Sequence, residues 1–288
     1  MGIKGLSKAI RALAPRAVRE TTLRDYRGHT LAIDACIYMY KFRYLGSPVE
    51  LFAAQVQMLR DAEVTPLYVF DGSACAAKQA EVLRRREAKA KAVEAVGVAR
   101  AQATQTQTRA LSTLGPDPLA AIVACESELS KAERRVAAQP TSSDYSAVRR
   151  KLAELGVEVR QARGDGEKAC AAAVRAGDAW ACATEDFDAL PYGATKMLTR
   201  LGQPTMVEYD LPTILQDSGL TMAQWVDFCI LCGSDLCSKI KGVGEKRALA
   251  LLREHGSIEG ILERLPPQYT VPPDFDYRLA RGEFMGTP

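Results

Sequence analysis

Residues 179–188, Ala-Trp-Ala-Cys-Ala-Thr-Glu-Asp-Phe-Asp, join a short apolar run directly to three acidic side chains within four positions. The run from Ala179 to Ala183 is typical of a buried strand. Carboxylates this close repel one another, and a hard divalent cation is the usual compensation because it binds carboxylate oxygens. For this stretch alone, a solvated acidic turn after a strand explains the pattern equally well. The decision therefore depends on where the other acids of the chain lie.

The chain of 288 residues has the composition of a soluble globular protein, with 47% apolar and 25% charged residues. Its length suits one large domain or a domain with a sizeable insertion. The sequence contains no apolar run long enough to span a membrane and no signal-peptide core at its N-terminus. The cysteines, 8 in number and without such a signal, predict reduced thiols in an intracellular protein. Since only His29 and His255 occur, histidine-based metal sites are close to excluded.

The first part of the chain alternates helical patterns with apolar strands, which favours a mainly parallel α/β sheet. Helices are predicted over 3–14, through Tyr38 to Phe42, and over 49–62. Strands are predicted over 30–33, ending on Asp34, and over 65–70, ending on Asp71. Both strands therefore lead directly into an acidic side chain.

Residues 74–138 differ in character and predict a helical insertion between two strands of the sheet. Alanine, glutamine, threonine and arginine dominate, which favours a long helix over 76–110, a break at 115–118 and a second helix over 118–138. From Lys78 to Arg109 we count eight basic residues against three acidic ones, a balance of +5 where the whole chain carries +3. Basic and acidic surfaces are therefore segregated. A solvated helical arm without a function would have a similar composition.

The alternation of helices and strands resumes after residue 141. Predicted helices cover 142–155, with Ser142 and Ser143 as caps, then 164–175, 221–232 and 248–255. Predicted strands cover 157–159, 179–183, 196–201 and 205–209. Cys229 and Cys232 form a C-x-x-C pair inside an apolar helical run, which favours buried small hydrophobes over a zinc or redox site. Residues 266–288 are proline-rich, and we expect an irregular tail.

Seven acidic residues from five places in the chain are predicted to meet in one cleft. Strand ends carry some of them, and the carboxyl ends of parallel strands share the edge where open α/β folds bind ligands. Others open a helix or follow one. The complete set is Asp34, Asp71, Asp165, Glu167, Asp186, Asp188 and Asp235. So many carboxylates suit two metal ions roughly 3.5–4 Å apart that act on a phosphodiester, for which the basic insertion supplies matching charge.

Six motifs in order resemble the flap endonucleases of the XPG-type 5′-nuclease family, from residue 1 to about residue 265. They are MGIKGL (1–6), AIDA (32–35), YVFDG (68–72), ATEDFD (183–188), LCGSD (231–235) and KGVGEKR (241–247). The resemblance implies a PIN-like α/β fold, in which a parallel sheet is flanked by helices, with a helical arch insertion and a helix-two-turn-helix. The expected regions are 1–73 and 141–235 for the nuclease, 74–140 for the arch, 236–265 for the helix-two-turn-helix and 266–288 for the tail.

The resemblance also implies roles for individual residues. The seven acids become the ligands of two Mg²⁺ ions, for which Mn²⁺ can substitute, and Lys78 and Arg85 of the arch become the catalytic cations at the scissile phosphate. The implied DNA contacts are Tyr40, which stacks on a base, and Gly242, Gly244, Lys246 and Arg247 of the hairpin, which hold a duplex around K⁺. Taken alone, Tyr40 would suit a core position, and Lys78 and Arg85 would suit a solvated arm.

The sequence departs from the family pattern at several points. Asp165 stands where the family has Glu, and Lys168 stands where it has a small residue, so the metal spacing can shift. Lys239 stands where a small hydroxyl residue helps to hold K⁺, which weighs against that ion at the hairpin. The link from Asp34 to Asp71 is shorter than in typical members, in the region that builds the pocket for a one-nucleotide 3′ flap, and the arch is longer.

The sequence therefore predicts a Mg²⁺-dependent 5′ flap endonuclease and 5′–3′ exonuclease that acts on DNA junctions in replication or repair. Two alternatives stay open, namely a catalytically weak junction-binding protein and a relative specific for other junctions or for RNA. We expect a monomer inside the cell, in the nucleus or at another site of DNA replication. A sliding clamp is not expected to bind the C-terminal residues, which lack a Gln-x-x-apolar-x-x-aromatic motif.

Overall fold

The computed structural model describes residues 2–3, 5–72, 83, 87, 90–102, 105, 133, 136 and 139–286. The strands of these residues are Val18–Thr21 (β1), Thr30–Asp34 (β2), Thr65–Phe70 (β3), Glu158–Gln161 (β4), Ala181–Ala183 (β5), Lys196–Thr199 (β6) and Met206–Asp210 (β7). They form a single 7-stranded sheet in the order β1-β7-β6-β5-β2-β3-β4. The strands β6, β5, β2, β3 and β4 run parallel, while β7 is antiparallel to β6 and β1 is antiparallel to β7. The prediction of a mainly parallel α/β sheet is confirmed.

Helices cover both faces of this sheet. In chain order they are Leu6–Leu13 (α1), Ala35–Leu45 (α2), Pro48–Asp61 (α3), Ser142–Glu154 (α4), Gly166–Ala176 (α5), Leu211–Ser218 (α6), Met222–Cys232 (α7), Glu245–His255 (α8), Ile258–Glu263 (α9) and Tyr277–Met285 (α10). No helix of the described residues is both long enough and apolar enough to cross a membrane.

Alternating side chains of the central strands feed two separate cores, as a period of two requires. Leu31 and Ile33 of β2 lie in one core with residues of α2, α3 and α4, and Ala32 between them lies in the other with residues of α1, α5 and α7. Because both faces are covered, β2 is buried along nearly its whole length. Such a strand can end in an acid only where the sheet meets a cleft.

The pairing of the central strands brings their carboxyl ends to one edge. Asp34, the last residue of β2, pairs with Val69 of β3, and Ile33 pairs with Ala183, the last residue of β5. Asp71 follows β3 directly, and Thr184 follows β5 directly. The strand-end acids that the sequence analysis singled out therefore start from neighbouring positions on this edge.

Side-chain caps explain where several helices begin. The carboxylate of Asp34 accepts hydrogen bonds from the backbone N–H groups of Cys36 and Ile37, so the residue that ends β2 also starts α2. Thr141 rather than Ser142 or Ser143 caps α4, through a reciprocal capping box with Asp144, which corrects the prediction.

Four elements differ from the predictions. The strand β1 was not predicted, because only one of its four residues is buried at this edge of the sheet. The helices α6 and α9 were also missed. The expectation of an irregular tail over 266–288 is wrong for Tyr277–Met285, which form α10 and bury Tyr277, Ala280 and Phe284. The prolines that precede this helix favoured an irregular chain, so its apolar spacing was not interpreted as a helix.

Only part of the predicted arch lies among the described residues. Residues 90–102 are helical, as are residues 83, 87 and 105, in agreement with a long helix there. Arg100 forms an ion pair of 2.6 Å with Glu133, which connects the two halves of the insertion. The two predicted catalytic cations, Lys78 and Arg85, lie outside the described residues.

Candidate metal centre and nucleic-acid contacts

Asp34, one of the buried predicted ligands, has 1% of its surface exposed. One carboxylate oxygen caps α2, and the other accepts a 3.0 Å hydrogen bond from Thr184 Oγ1. Burial, together with the negative charge of Asp71, raises the pKa of Asp34 to about 7. Its neighbours thus orient the carboxylate, while its surroundings disfavour the ionised form. A bound cation would stabilise that ionised form.

Asp71 stands beside Asp34 at the end of the adjacent strand. Its Oδ1 accepts a 2.8 Å hydrogen bond from the backbone N–H of Gly166, the first residue of α5. A Cβ atom on Gly166 would lie 2.6 Å from this oxygen and 3.6 Å from Asp34 Oδ1, so only glycine permits the close approach. Ligand atoms of Asp34, Cys36 and Asp71 lie within 4.8 Å of one another.

Asp186 and Asp188 occupy the loop after β5 and are also buried. Asp186 Oδ1 accepts a 3.0 Å hydrogen bond from the backbone N–H of Asp188, which fixes the turn between them. Thr184 joins this loop to Asp34, because its hydroxyl donates to Asp34 and accepts from the backbone N–H of Asp186. Gly2 lies against the pair: a Cβ atom there would be 1.9 Å from Asp186 Oδ1 and 2.9 Å from Asp188 Oδ1.

The third acid of this loop, Glu185, is not part of the cluster. Its Oε1 accepts a 2.7 Å hydrogen bond from the backbone N–H of Arg200, a residue in the left-handed region with φ of 62°. Glu185 therefore stabilises the turn after β6. This contact is consistent with the predicted ligand set, which includes Asp186 and Asp188 of this loop but not Glu185.

Tyr192 connects the two acids at the start of α5 with this loop. Its hydroxyl donates a 3.0 Å hydrogen bond to Oδ2 of Asp165, the cap position of α5. Burial raises the pKa of Tyr192 strongly, and the charges of Asp165, Asp188 and Glu167 add to the rise. The phenol therefore stays protonated and acts as a donor among three carboxylates.

Hydrogen bonds and charge effects link six of the seven predicted ligands. Asp34 and Asp71 interact directly, and the charge of Asp186 also acts on Asp34. Asp165, Glu167 and Asp188 act together on Tyr192. Asp235 lies half-buried in the turn after α7. A metal-binding role stays a prediction for all seven acids.

This donor set fits a hard divalent cation. It consists of carboxylate oxygens, which Mg²⁺ and Mn²⁺ prefer. At least one of these carboxylates, Asp34, lies in surroundings that disfavour its charged form. The glycines at positions 2 and 166 leave room beside four of the carboxylates. Cys36 adds a softer donor at the rim of the group, which the sequence analysis did not anticipate.

Lys168, the cation that departs from the family pattern, is engaged away from the carboxylates. Its Nζ lies 3.5 Å from Oε2 of Glu283 on α10 and 6.0 Å from the centre of the Tyr192 ring. The Tyr192 ring also packs against Phe284 of α10, with 5.0 Å between ring centres. The unpredicted last helix thus supports the side chain that holds Asp165.

The predicted DNA contacts are on the surface of the described residues. Tyr40 is 52% exposed on α2, so its interpretation as a core residue is wrong. Gly242 has a φ of 86°, a left-handed value that favours glycine, and Gly244 is the N-cap of α8. Lys246 and Arg247 are exposed in the first turn of α8, where backbone N–H groups and basic side chains can bind a phosphate together.

Comparisons with known proteins agree with this geometry. Two protein-family models, described as XPG N-terminal domain and XPG I-region, match residues 1–92 and 156–235. Flap endonuclease 1 of Danio rerio is 33% identical over 307 aligned residues, which cover 99% of this chain and 75% of that protein. Flap endonuclease 1 of Homo sapiens is 32% identical, with the same coverage of both chains.

Solved structures share the fold at lower identity. The catalytic core of Rad2 in complex with DNA substrate matches with a TM-score of 0.70 at 17% identity, over 99% of this chain and 85% of that one. Flap endonuclease-1 from Methanococcus jannaschii gives a TM-score of 0.62 at 22% identity, over 93% and 81%. The Holliday junction-resolving enzyme GEN1 in complex with product DNA and Mg²⁺ gives 0.60 at 19%, over 99% and 64%. The chain, with its PIN-like sheet and gathered carboxylates, belongs to the XPG-type family of flap endonucleases.

Proposed function

We propose that this protein is a structure-specific 5′ flap endonuclease and 5′–3′ exonuclease that hydrolyses DNA phosphodiesters with two Mg²⁺ or Mn²⁺ ions. The gathering of six carboxylates at the carboxyl edge of the sheet carries the proposal. The names of the relatives and the DNA-bound Rad2 and GEN1 structures support a DNA junction as the substrate. K⁺ at the hairpin is not part of the proposal, because Lys239 stands where the resemblance implies a small hydroxyl residue that helps to hold this ion.

The residues that would hold the ions are Asp34, Asp71, Asp165, Glu167, Asp186, Asp188 and Asp235. Divalent cations bound there supply charge neutralisation at the phosphate and a lower pKa for the attacking water. The chain itself sets the geometry: Thr184 orients Asp34, the Gly166 N–H orients Asp71, and Tyr192 orients Asp165. These three predicted ligands therefore have donors that fix them before substrate arrives.

The DNA would approach across the surfaces that carry the predicted DNA contacts. Tyr40 offers a stacking face on α2, and the hairpin from Gly242 to Arg247 offers a phosphate-binding turn at the start of α8. Lys78 and Arg85, which lie outside the described residues, keep the role that the resemblance implies, namely to offset charge on the scissile phosphate. Action on DNA in replication or repair, a monomeric state, an intracellular location and the lack of a sliding-clamp contact through the C-terminal residues are further parts of this proposal.

A junction-binding protein without activity is the competing hypothesis, and it depends on Asp165 and Lys168 having damaged the site. The contacts of these residues argue against it. Asp165 accepts a hydrogen bond from Tyr192, and Lys168 pairs with Glu283 of α10. A preference for bubbles, four-way junctions or RNA concerns the substrate and not the chemistry.

The test is cleavage by the purified protein of end-labelled 5′-flap, bubble, four-way-junction and RNA substrates, with Mg²⁺, with Mn²⁺ and with chelator. We expect metal-dependent cleavage, with the 5′ flap cut fastest. The variant Asp186→Asn should abolish cutting and keep DNA binding in a gel shift. Glu185→Gln is the matched control, since it removes an acid of the same loop that contacts Arg200 and should retain activity. Binding of the flap without product at any metal concentration would establish the competing hypothesis.

A further inference from the structure

A second cleft opens beside Asp71, on the side of the sheet that α4 covers. Its volume is about 310 Å³, and it is lined by Cys36, Asp71, Ser142, Tyr145, Ser146 and Arg149. Neither the sequence motifs nor the metal cluster explains this arrangement of hydroxyl groups around one guanidinium group. The cleft shares Asp71 with the candidate metal centre, so a group bound in it would lie next to the reacting phosphodiester.

Arg149 is held rigidly at this cleft. Its guanidinium carbon lies 4.5 Å from the centre of the Phe70 ring, the residue that precedes Asp71. Its Nη2 donates to Oε1 of Gln161, and Nε2 of Gln161 donates in turn to the backbone carbonyls of Phe70, at 3.4 Å, and of Asp71. A chain of hydrogen bonds therefore fixes the cation relative to the backbone of a predicted metal ligand.

The positive charge of Arg149 is not neutralised inside the described parts of the chain. No carboxylate of those residues forms a salt bridge with it, whereas Arg43 on the same side of the sheet pairs with Asp144 at 3.6 Å. Arg149 Nε is buried and has no hydrogen-bond acceptor among the described residues. A buried donor without an acceptor is costly, so such an atom commonly serves an acceptor that arrives with a ligand.

We propose that this cleft binds a backbone phosphate of the nucleic-acid strand adjacent to the scissile phosphodiester, with Arg149 as the principal contact. The inference deepens the proposed function and rests on it for the identity of the strand. A guanidinium group that stacks on an aromatic ring keeps its N–H edge available, and that edge matches the oxygens of a phosphate. A phosphate also suits the shared edge with Asp71, since bound divalent cations neutralise that carboxylate.

The test is a binding scan with 5′-flap DNAs in which one backbone phosphate at a time is replaced by an uncharged methylphosphonate. Ca²⁺ replaces Mg²⁺, and intact DNA is verified on a gel. The wild-type protein should lose about tenfold or more in affinity at one position next to the scissile phosphate, as expected for a charge-assisted hydrogen bond. Arg149→Gln should bind unmodified DNA more weakly by a similar factor and show no further loss at that position.

The matched control is Arg150→Gln, which removes the same charge from the next, exposed residue of α4. It should retain the wild-type pattern of sensitive positions. Arg149→Gln should also lower the slope of log affinity against log salt by about 0.7–0.9, the value for one lost phosphate contact. The inference is overturned if Arg149→Gln keeps every sensitive position of the wild type, or if Arg150→Gln produces the same change.

A purely structural role of Arg149 is tested separately. If Arg149→Gln lowers the melting temperature strongly, Arg149→Lys is used in its place, because it keeps the charge but removes the planar guanidinium group. Arg149→Lys should then reduce the loss of affinity that a methylphosphonate causes at the same position. An unchanged loss of affinity there contradicts the inference. Cleavage in Mg²⁺ is followed in parallel with unmodified DNA. If the wild type shows the expected sensitive phosphate but does not cleave DNA, the proposed function is refuted and the phosphate site is retained. If the wild type cleaves DNA but Arg149→Gln keeps the same sensitive phosphate, the phosphate site is refuted and the proposed function is retained.

Discussion

The hydroxyl group of Tyr192 donates a 3.0 Å hydrogen bond to Oδ2 of Asp165 across 27 residues of sequence. Asp165 is the predicted ligand at which the resemblance to the family implies a side chain one methylene longer. The phenol therefore lies where it orients the shorter carboxylate. Lys168 and Phe284 contact the Tyr192 ring from outside the cluster and restrict its movement.

Tyr192→Phe is expected to lower cleavage activity by about 10–100-fold, because donors that orient metal ligands typically contribute on that scale. The midpoint of the Mg²⁺ titration should move to higher concentration, whereas DNA binding in Ca²⁺ should change little. Tyr68→Phe is the matched control, since it removes a buried hydroxyl that donates 2.9 Å to Gln55 and not to a predicted ligand. Equal losses in both variants would mean that Tyr192 acts only through stability.

Gly166→Ala should inactivate the enzyme more strongly than the addition of a single methyl group suggests. The new methyl group would lie 2.6 Å from Asp71 Oδ1, so this carboxylate must move away from Asp34. We expect at least a tenfold loss of activity, with weaker Mg²⁺ binding measured by calorimetry. Gly97→Ala is the control, because no atom of the described residues lies within 4 Å of its Cβ position and alanine favours a helix. Full activity of Gly166→Ala would show that Asp71 is not a ligand.

The raised pKa of Asp34 predicts how pH affects the metal-free protein. The folded-state pKa of about 7 lies above the ordinary value of 3.8, so the folded state binds the proton more tightly than the unfolded state does. Stability should therefore be highest below about pH 4 for this group and fall as pH rises to about 7. The full effect is on the order of 4 kcal/mol, since each pKa unit corresponds to about 1.4 kcal/mol.

Urea unfolding of the metal-free protein between pH 4 and 7.5 measures this effect. Asp34→Asn should flatten the decline, because the amide does not titrate, and Mg²⁺ should stabilise the wild type increasingly as pH rises through about 7. Stability of the metal-free wild type that increases across this window, relative to Asp34→Asn, would contradict the prediction.

Tyr40→Ala should weaken binding of flap DNA by roughly 5–150-fold, because stacking of one base on an aromatic side chain contributes about 1–3 kcal/mol. The exposure of Tyr40 means that the protein itself should remain as stable as the wild type. Tyr40→Phe keeps the ring and should bind normally, which separates stacking from hydrogen bonding. Fluorescence anisotropy of labelled DNA measures both variants, and unaltered affinity of Tyr40→Ala would remove this residue from the interface.

Those parts of the site that follow strand ends could be predicted from the sequence. Asp34 and Asp71 end apolar runs, and Asp186 and Asp188 follow a third, so the parallel order of the strands was enough to bring them to one edge. The donors that orient these acids could not be predicted. Thr184 and Tyr192 act through contacts that exist only after the chain has folded, and nothing in their spacing distinguishes them from other core residues.

The missed elements have equally physical causes. The strand β1 pairs at one edge of the sheet and buries only Thr21, so it has no apolar alternation to detect. The helix α10 does carry an apolar stripe of Tyr277, Ala280 and Phe284, but four prolines between residues 266 and 273 suggested an irregular chain throughout. Arg281 secures this helix through ion pairs with Asp227 and Glu259, which local sequence does not reveal.

The packing of α10 on Tyr192 has a consequence for the order in which the enzyme matures. Every predicted metal ligand has been synthesised by residue 235, whereas the helix that steadies Tyr192 and Lys168 begins at residue 277. A nascent chain thus acquires its acids well before the support that orders them. The ordering of Tyr192, and through it of Asp165, therefore depends on a helix that is synthesised after all seven predicted ligands.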